Sequence, residues 1–418
     1  MMLTRFGAST GAVLLSVALI AGCTANTESS DSVEGATPPP QAELSDVTLY
    51  VFGYDAGVEQ WAADTSAAFD ELDLGYGLEI TVVPANDLQQ TLTTRLQGGK
   101  PPDISSAPTA WVPSFAANLR DLQGIVSDEI SGGFPDSVAS QASFGGKLLA
   151  APYGTSTRAL YYNADFLTAA GYDSPPATWD ELIEMAGAAK EANGLNAGFS
   201  VQGMGNETFA AWFPYVYWSF GGDFGTGESI EIEPAACEAG LEVLNDIANG
   251  AKVAQPDLTA SDIVTIQDSV ASGQSAMTIS GPWFLGGVAD MPVEVAPVPA
   301  GSTQSTLAVA DAWISFSEGA ATDEQVGAVI DFLLSVEQII PFLQGRGFMP
   351  SLERDFSDPA FNTGPITTFI TALETAKFVP LSEQWAQLQV TGESEMQLMY
   401  LGEKEPEAVC QTLINSLG

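Results

Sequence analysis

Fifty-three Asp and Glu residues stand against 12 Lys and Arg in this 418-residue chain, and there is no histidine. That inventory decides which chemistries are open. Without histidine, neither a Ser-His-Asp nor a Cys-His nucleophile can be assembled, and no histidine zinc site can form. Three cysteines, at 23, 237 and 410, make no zinc framework or iron–sulfur run. No metal or cofactor is expected. The carboxylates leave one hydrolytic chemistry, in which two acids flank a glycosidic bond. No acid pair stands out by spacing, so a secreted glycoside hydrolase is the alternative reading rather than the first. Arg158 is notable because basic residues are scarce. It either donates to ligand oxygens or pairs with a nearby carboxylate.

The charge balance also excludes partners. Counterion-release binding to nucleic acid or anionic membrane needs clustered Lys and Arg, which this chain lacks. The acidic residues are dispersed and describe a solvated surface that favours solubility.

The elements that must position any site are organised around residues 145–182. A Gly145-Gly146 turn leads into a short apolar strand, Lys147 to Ala151, and a Pro152-Tyr153-Gly154 corner. A second apolar run, Ala159 to Tyr162, follows. A helix then starts at Asn163 and stops at Gly171. Thr178 and Glu181 form a capping box for the next helix, which carries Trp179, Leu182, Ile183 and Ala186 at helical spacing. Two strands meeting at a Gly-containing corner describe a chain passing from one sheet to another, as at a hinge between lobes.

Gly146-Lys147-Leu148, Pro152, Tyr162-Asn163-Ala164-Asp165 and Pro176-Ala177-Thr178-Trp179-Asp180-Glu181-Leu182 together resemble the first crossover of the extracellular solute-binding proteins of ABC importers, the family that includes maltose-binding protein. Pro102-Asp103-Ile104 resembles that family's third-strand motif. Gly273–Trp283 resembles its G-x-x-A-M-x-x-x-G-x-W segment, and Gly345–Ser351 its third hinge region. The resemblance covers nearly all of residues 47–418. It implies a two-lobed α/β fold, mainly parallel sheets flanked by helices, with lobes joined by hinge crossovers. The first lobe is expected over 47–156 plus 312–350, and the second over 157–311 plus 351–418.

Residues 1–22 hold Arg5 and then an apolar run, Gly11 to Gly22, too short to span a bilayer but matching a secretory signal. The run ends Leu19-Ile20-Ala21-Gly22-Cys23, which resembles a bacterial lipobox. That implies cleavage before Cys23 and acylation of its thiol. Each buried methylene of such a chain contributes about 0.8 kcal/mol to anchoring. Residues 23–46 then form a polar, Pro-rich tether, reaching on the order of 25 Å as a coil.

Beyond the tether, Val47–Gly53 and Glu79–Val83 are strands. Val58, Trp61, Thr65, Phe69 and Leu72 mark one helix, and Leu88, Leu92 and Leu96 another capped by Asn86 or Asp87. Strands alternating with helices indicate a mainly parallel sheet, whose ligands sit at the carboxyl ends of its strands. The loops that matter are then Tyr54–Gly57, Ser105–Trp111 and Pro152–Arg158. A buried helix is expected over Phe209–Phe220, others from Pro234 and around Ile263, Ile266 and Val270. Leu307–Phe316 crosses back, followed by a Thr322/Gln325 capping box.

The resemblance implies a carbohydrate ligand, a membrane permease as partner, a lipid anchor and a monomer. A sugar needs aromatic plates for its flat C–H faces and polar groups for its hydroxyl rim. By the family's pattern the plates are Trp283, after Gly281-Pro282, and Trp385, with Phe209, Trp212 and Tyr153 as further rings. Tyr54 and Asp55 fall in the first strand's loop, where the family has an accepting aspartate; Asp311 lies at the return crossover. For each, the other reading is a core or turn residue. The family's charged set is largely replaced: Ala56 stands for a lysine, Ala110-Trp111 for an Asp-Arg pair and Ser156 for a hinge glutamate. Trp111 then offers a new plate. Cys237 and Cys410 lie on apolar helix faces that the resemblance puts in one lobe, where they are either bonded or buried as free thiols.

Overall fold

The computed structural model describes residues 44–53, 57–204, 208–225, 229–362 and 364–418. Cys23, the signal and nearly all of the tether lie outside the described residues, as do Tyr54, Asp55 and Ala56.

Thirteen strands occur among the described residues. They are β1 (Val47–Gly53), β2 (Leu78–Pro84), β3 (Ile104–Pro108), β4 (Ser143–Phe144), β5 (Lys147–Leu148), β6 (Ala151–Ser156), β7 (Ala159–Asn163), β8 (Ala197–Ser200), β9 (Ser275–Ser280), β10 (Val293–Ala296), β11 (Thr306–Ser315), β12 (Met349–Pro350) and β13 (Ala376–Phe378). One sheet runs in the order β12-β6-β11-β3-β1-β2, with β13 on the start of β11. The second runs β10-β7-β9-β8. β1 pairs in parallel with β2 and β3, and β8 with β9. The strands that pass between lobes pair antiparallel: β11 with β3 and β6, β12 with β6, and β7 with β9 and β10. The sheets are therefore more mixed than helix–strand alternation predicts. A strand linked through a covering helix returns in the same direction, whereas one arriving from the other lobe crosses in the opposite direction.

Strand periodicity sorts the first-lobe core. Val47, Leu49 and Val51 face one apolar cluster, Tyr50 and Phe52 another, on the two faces of one sheet. In the second lobe Leu160, Phe199, Met277 and Ile279 meet a large helical cluster, while Ala159 and Tyr161 face a smaller one with Val270 and Phe284.

Several local details differ from the sequence reading. Helix Ala85–Gln97 takes Pro84 as its N-cap, because the helix has already begun at Ala85. Leu72 lies past the end of helix Gly57–Asp70 and is exposed. Gly145 and Gly146 both have positive φ and turn the β4–β5 hairpin. Pro152-Tyr153-Gly154 is not a corner. It lies inside β6, and Tyr153 is the extra residue of a bulge, since Asp311 pairs with Gly154 and the next residue, Ala312, with Pro152. The change of sheet comes at Thr157-Arg158. Leu352 and Phe361 still pack in the first-lobe cluster, and Phe369 is the next buried ring of the second lobe.

Other signals form as expected. Asn163 Oδ1 accepts from Phe166 N, and Thr322 and Gln325 make the reciprocal capping box. Thr178 Oγ1 accepts from Glu181 N, although the Glu181 carboxylate reaches Ala177 N rather than Thr178 N.

Two long-range ties hold the frame. Cys237 and Cys410 are joined, with Cα atoms 5.9 Å apart and a sequence separation of 173. In the chain-entropy account, closing a loop of that size removes about 5 kcal/mol of unfolded-state freedom. In the first lobe, buried Asp103 accepts from Thr48 N and Thr48 Oγ1 at 2.8 Å and from Ala321 N at 2.7 Å. One carboxylate thereby fastens β1, β3 and the segment leaving β11. Asp103→Ala strands those donors without a partner and is expected to lower unfolding free energy by about 3 kcal/mol. Urea denaturation checks this; a loss under about 1 kcal/mol would show that water replaces the carboxylate without penalty.

Candidate ligand-binding cleft

β9 ends at Ser280, and Pro282 opens a 3-10 helix whose N-cap is Gly281. Pro fits there because its fixed φ suits the first helical position. Trp283 follows, and its six-membered ring lies flat against Gly281. A Cβ on Gly281 would come within 2.1, 2.3 and 2.5 Å of three consecutive ring carbons. Only glycine leaves room for the ring. Trp283 is half-buried and touches apolar clusters of both lobes. Its ring centroid is 6.2 Å from that of Phe348, and the Arg158 guanidinium carbon lies over it at 4.7 Å.

Arg158 sits where the chain changes sheets. Its Nη1 donates to Ser156 Oγ at 3.2 Å and to Thr157 O at 3.4 Å, and its carbonyl accepts from Thr306 Oγ1 at 3.0 Å. Arg158, Ser156 and Trp283 are thus brought together. Burial pushes the Tyr161 and Tyr215 hydroxyls well above their ordinary range, and the Arg158 charge pulls both the other way.

In the first lobe, Trp111 ends the 3-10 turn Thr109–Trp111 and meets Phe52 edge-on at 5.6 Å. Its neighbour Ala110 packs against the large second-lobe cluster. The helix Val112–Phe115 adjoins helix Glu383–Tyr400 of the other lobe. The lobes therefore meet beside Trp111. Asp311 is buried in β11 between Pro108 and Gly154.

Four expected rings lie elsewhere. Tyr153 is buried in the first-lobe core against Trp313, at 4.5 Å, and Phe342, at 5.4 Å. Phe209 stacks on Phe213 at 4.8 Å and fills the space that Gly392 leaves open. Trp212 is wedged edge-on against Phe199 and Tyr215. Trp385 is 2% exposed between Phe209 and Phe224. The cause is common to Phe209 and Trp212: helix Thr208–Ser219 buries ten of its twelve residues, so its rings pack inward on all sides. Trp385 Nε1 has no hydrogen-bond partner among the described residues.

Some residues of this region escape sequence reasoning. The Arg346 guanidinium carbon lies 4.4 Å over Phe342 and 5.8 Å over Trp61. The signal was available: a rare arginine ends helix Val336–Arg346, inside Gly345–Ser351. Gly347 and Phe348 come next and press on the Trp283 corner. Among the described residues no group of three or more Cys, Asp or Glu could hold a metal ion. Buried Asp103 is committed to backbone donors and Asp355 to Arg354. Two surface hollows, of about 350 and 380 Å³, are lined respectively by residues around Arg95 and around Ser200, and neither includes Trp283 or Arg158.

Comparison with known proteins settles the class. The family described as bacterial extracellular solute-binding protein matches residues 54–340. The chain belongs to that family. A putative binding protein of Brucella abortus (strain 2308) is 31% identical over 379 residues, covering 88% of this chain and 91% of that one. Maltose-bound MalE3 of T. maritima superposes with a TM-score of 0.80 at 22% identity, covering 89% and 99%. A solute-binding protein of Thermotoga lettingae bound with α-D-tagatose gives 0.79 at 21%, covering 90% and 100%. The family consists of extracellular substrate-binding proteins rather than enzymes, and the glycoside hydrolase alternative finds no support.

Burial carries a pH consequence for this solute-binding protein. Tyr161, Tyr162, Tyr215 and Tyr400 are all raised above the ordinary value of 10.0, chiefly by desolvation. The folded state then holds protons that the unfolded state loses above pH 10. Stability is expected to fall as pH rises past that point, by up to about 1.4 kcal/mol per pH unit for each tyrosine. Phenolate absorbance checks it: these rings should ionise together with unfolding, not before.

Proposed function

We propose that this solute-binding protein captures a carbohydrate between its lobes and delivers it to an ABC permease. The observation that carries the reading is Trp283. It is a flat ring on a glycine seat, in reach of both lobes, with the Arg158 guanidinium and Ser156 hydroxyl beside it. One face of the ring is taken by Gly281 and the other carries the Arg158 guanidinium, so a saccharide's apolar face stacks there once Arg158 swings from the ring to the hydroxyl rim. Trp111 and Asp311 belong to the first-lobe wall of this proposed site. Phe209, Trp212, Trp385 and Tyr153 support it from the cores. The lobes are taken as 47–156 with 312–361, and 157–311 with 366–418.

Binding works by closure. A solute that touches both walls favours the closed form, to the extent that it prefers that form; hinge closure in periplasmic binding proteins is a standard instance of such switching. The solved relatives include one bound to maltose and one bound to tagatose, so the fold accommodates both a disaccharide and a monosaccharide.

Thermal unfolding against a panel of mono- and oligosaccharides tests the proposal. A ligand at a hundred times its Kd should stabilise the protein by about 2.7 kcal/mol and be recovered unchanged. Trp283→Ala should weaken that ligand at least about tenfold, as expected for a central aromatic anchor. A panel without a saturable binder, or a binder indifferent to Trp283→Ala, would refute the carbohydrate reading.

Cys23 anchors the chain to the outer face of the membrane in this proposal, through acyl chains on its thiol. Cys23→Ala should move the protein from the membrane fraction to the soluble fraction. Unchanged fractionation would remove the anchor.

A further inference from the structure

Helix Val336–Arg346 carries Ile339, Ile340, Phe342 and Leu343 into the first-lobe core. It ends at Gly347, which adopts the left-handed conformation, φ +67. Such a helix stop needs glycine for its backbone angle alone. Here a second demand is added. A Cβ on Gly347 would lie 2.7 Å from Pro282 O and 2.9 Å from Trp283 N. Those atoms belong to the corner that follows β9, in the other lobe. The contact is backbone against backbone, so no flexible side-chain tip can swing aside to relieve it.

Two other glycines separate the demands. Gly345, two residues earlier, has open space where its Cβ would be and no positive φ. Gly194 ends helix Trp179–Asn193 at φ +65, but nothing lies within 4 Å of its Cβ position. Gly194 is a left-handed stop only. Gly347 is a left-handed stop pressed on the opposing lobe.

We infer that Gly347 is a positioning residue for Trp283. Because it has no side chain, the first-lobe hinge segment seats directly on the Pro282-Trp283 backbone, and the ring comes to rest near Phe348 when the lobes close. A side chain at 347 acts as a wedge. It lowers the population of the closed form without touching solute, and apparent affinity falls by the same fraction. The inference rests on the closure described above but not on the solute being a sugar.

The test uses no solute. Spin labels on Leu72→Cys in the first lobe and Val264→Cys in the second, both exposed positions, report the interlobe distance distribution. Acrylamide quenching, read as the difference from the matching Trp283→Phe chain, reports access to the Trp283 ring. The unsubstituted chain is expected to populate a short distance with a shielded ring. Gly347→Ala should reduce that population about fivefold or more, an effect the size of one ordinary side-chain clash, and expose Trp283. Gly345→Ala and Gly194→Ala should leave both readouts unchanged, although Gly194→Ala lowers the melting temperature through backbone strain. Should Gly347→Ala not fold, Gly347→Asn, which tolerates the left-handed region yet brings a Cβ, replaces it, with Gly194→Asn as its control. Gly347 variants that match the Gly194 variants in both readouts would overturn the inference, and so would an unsubstituted chain found only in the open form. A carbohydrate panel that fails leaves this result untouched, so the two failures are distinguishable.

Discussion

A single unbroken strand, β11, has to satisfy two cores at once. Leu307 lies in the second-lobe cluster and Val309 packs against it, whereas Ala312, Trp313 and Ile314 are enclosed by the first-lobe clusters. Its neighbours are β3 on one side and β6 on the other, both antiparallel, and β13 pads its beginning. Most of its ten residues are buried. A strand so enclosed cannot slip by one residue, because a slip would turn Trp313 and Ile314 to the wrong faces of the sheet. The register of β11 therefore fixes how the two lobes face each other, and Asp311 and the β6 bulge at Tyr153 sit where that register is set.

Most of the scarce arginines are engaged by neighbouring groups of the fold rather than left to solvent alone. Arg158 lies over Trp283, Arg346 over Phe342 and Arg95 over Tyr50. Arg120 donates to the carbonyls of Phe316 and Ala321 and pairs with Asp323. Arg354 links Asp355, Glu129 and the Leu334 carbonyl. Guanidinium groups suit such places because their planar faces stack and their edges donate to several oxygens at once. Little cation is left to balance the acidic exterior, and the solvent face of the chain stays strongly negative.

Much of the architecture was legible because its signals are local. Alternating β-branched and aromatic residues in Val47–Gly53, the Asn163 cap and the Thr322/Gln325 box each fix a stretch of backbone by short-range physics. The corner at Gly281-Pro282-Trp283 is read through the family resemblance, and the structure supplies its physical reason: a large ring lies on this strand end because the underlying residue lacks a Cβ. The rings of helix Thr208–Ser219 were not. A helix buried on all sides has no polar stripe, so a sequence cannot say which aromatic faces a cavity and which faces a neighbouring helix. Tyr153 failed for a related reason: Pro-Tyr-Gly describes a turn in isolation, but pairing to β11 and β12 overrides that preference. In sequence Gly347 reads only as part of the hinge-like stretch Gly345–Ser351, because its contact is with a segment more than sixty positions away.

The Cys237–Cys410 bond has a consequence for how the polypeptide comes to be folded. The second lobe collects its parts from both the middle and the tail of the chain, and the covalent link ties helix Pro234–Asn245 to helix Pro406–Asn415. Helices Glu383–Tyr400 and Pro406–Asn415 contribute Trp385, Leu388, Met396, Val409 and Leu413 to the main apolar cluster. For an extracellular protein made from its amino end and threaded outward, the ingredients of this core are incomplete until almost every residue has emerged. Premature folding inside the cell, which would block export, is disfavoured by the order in which the pieces arrive, and oxidation outside then makes the finished state hard to reverse.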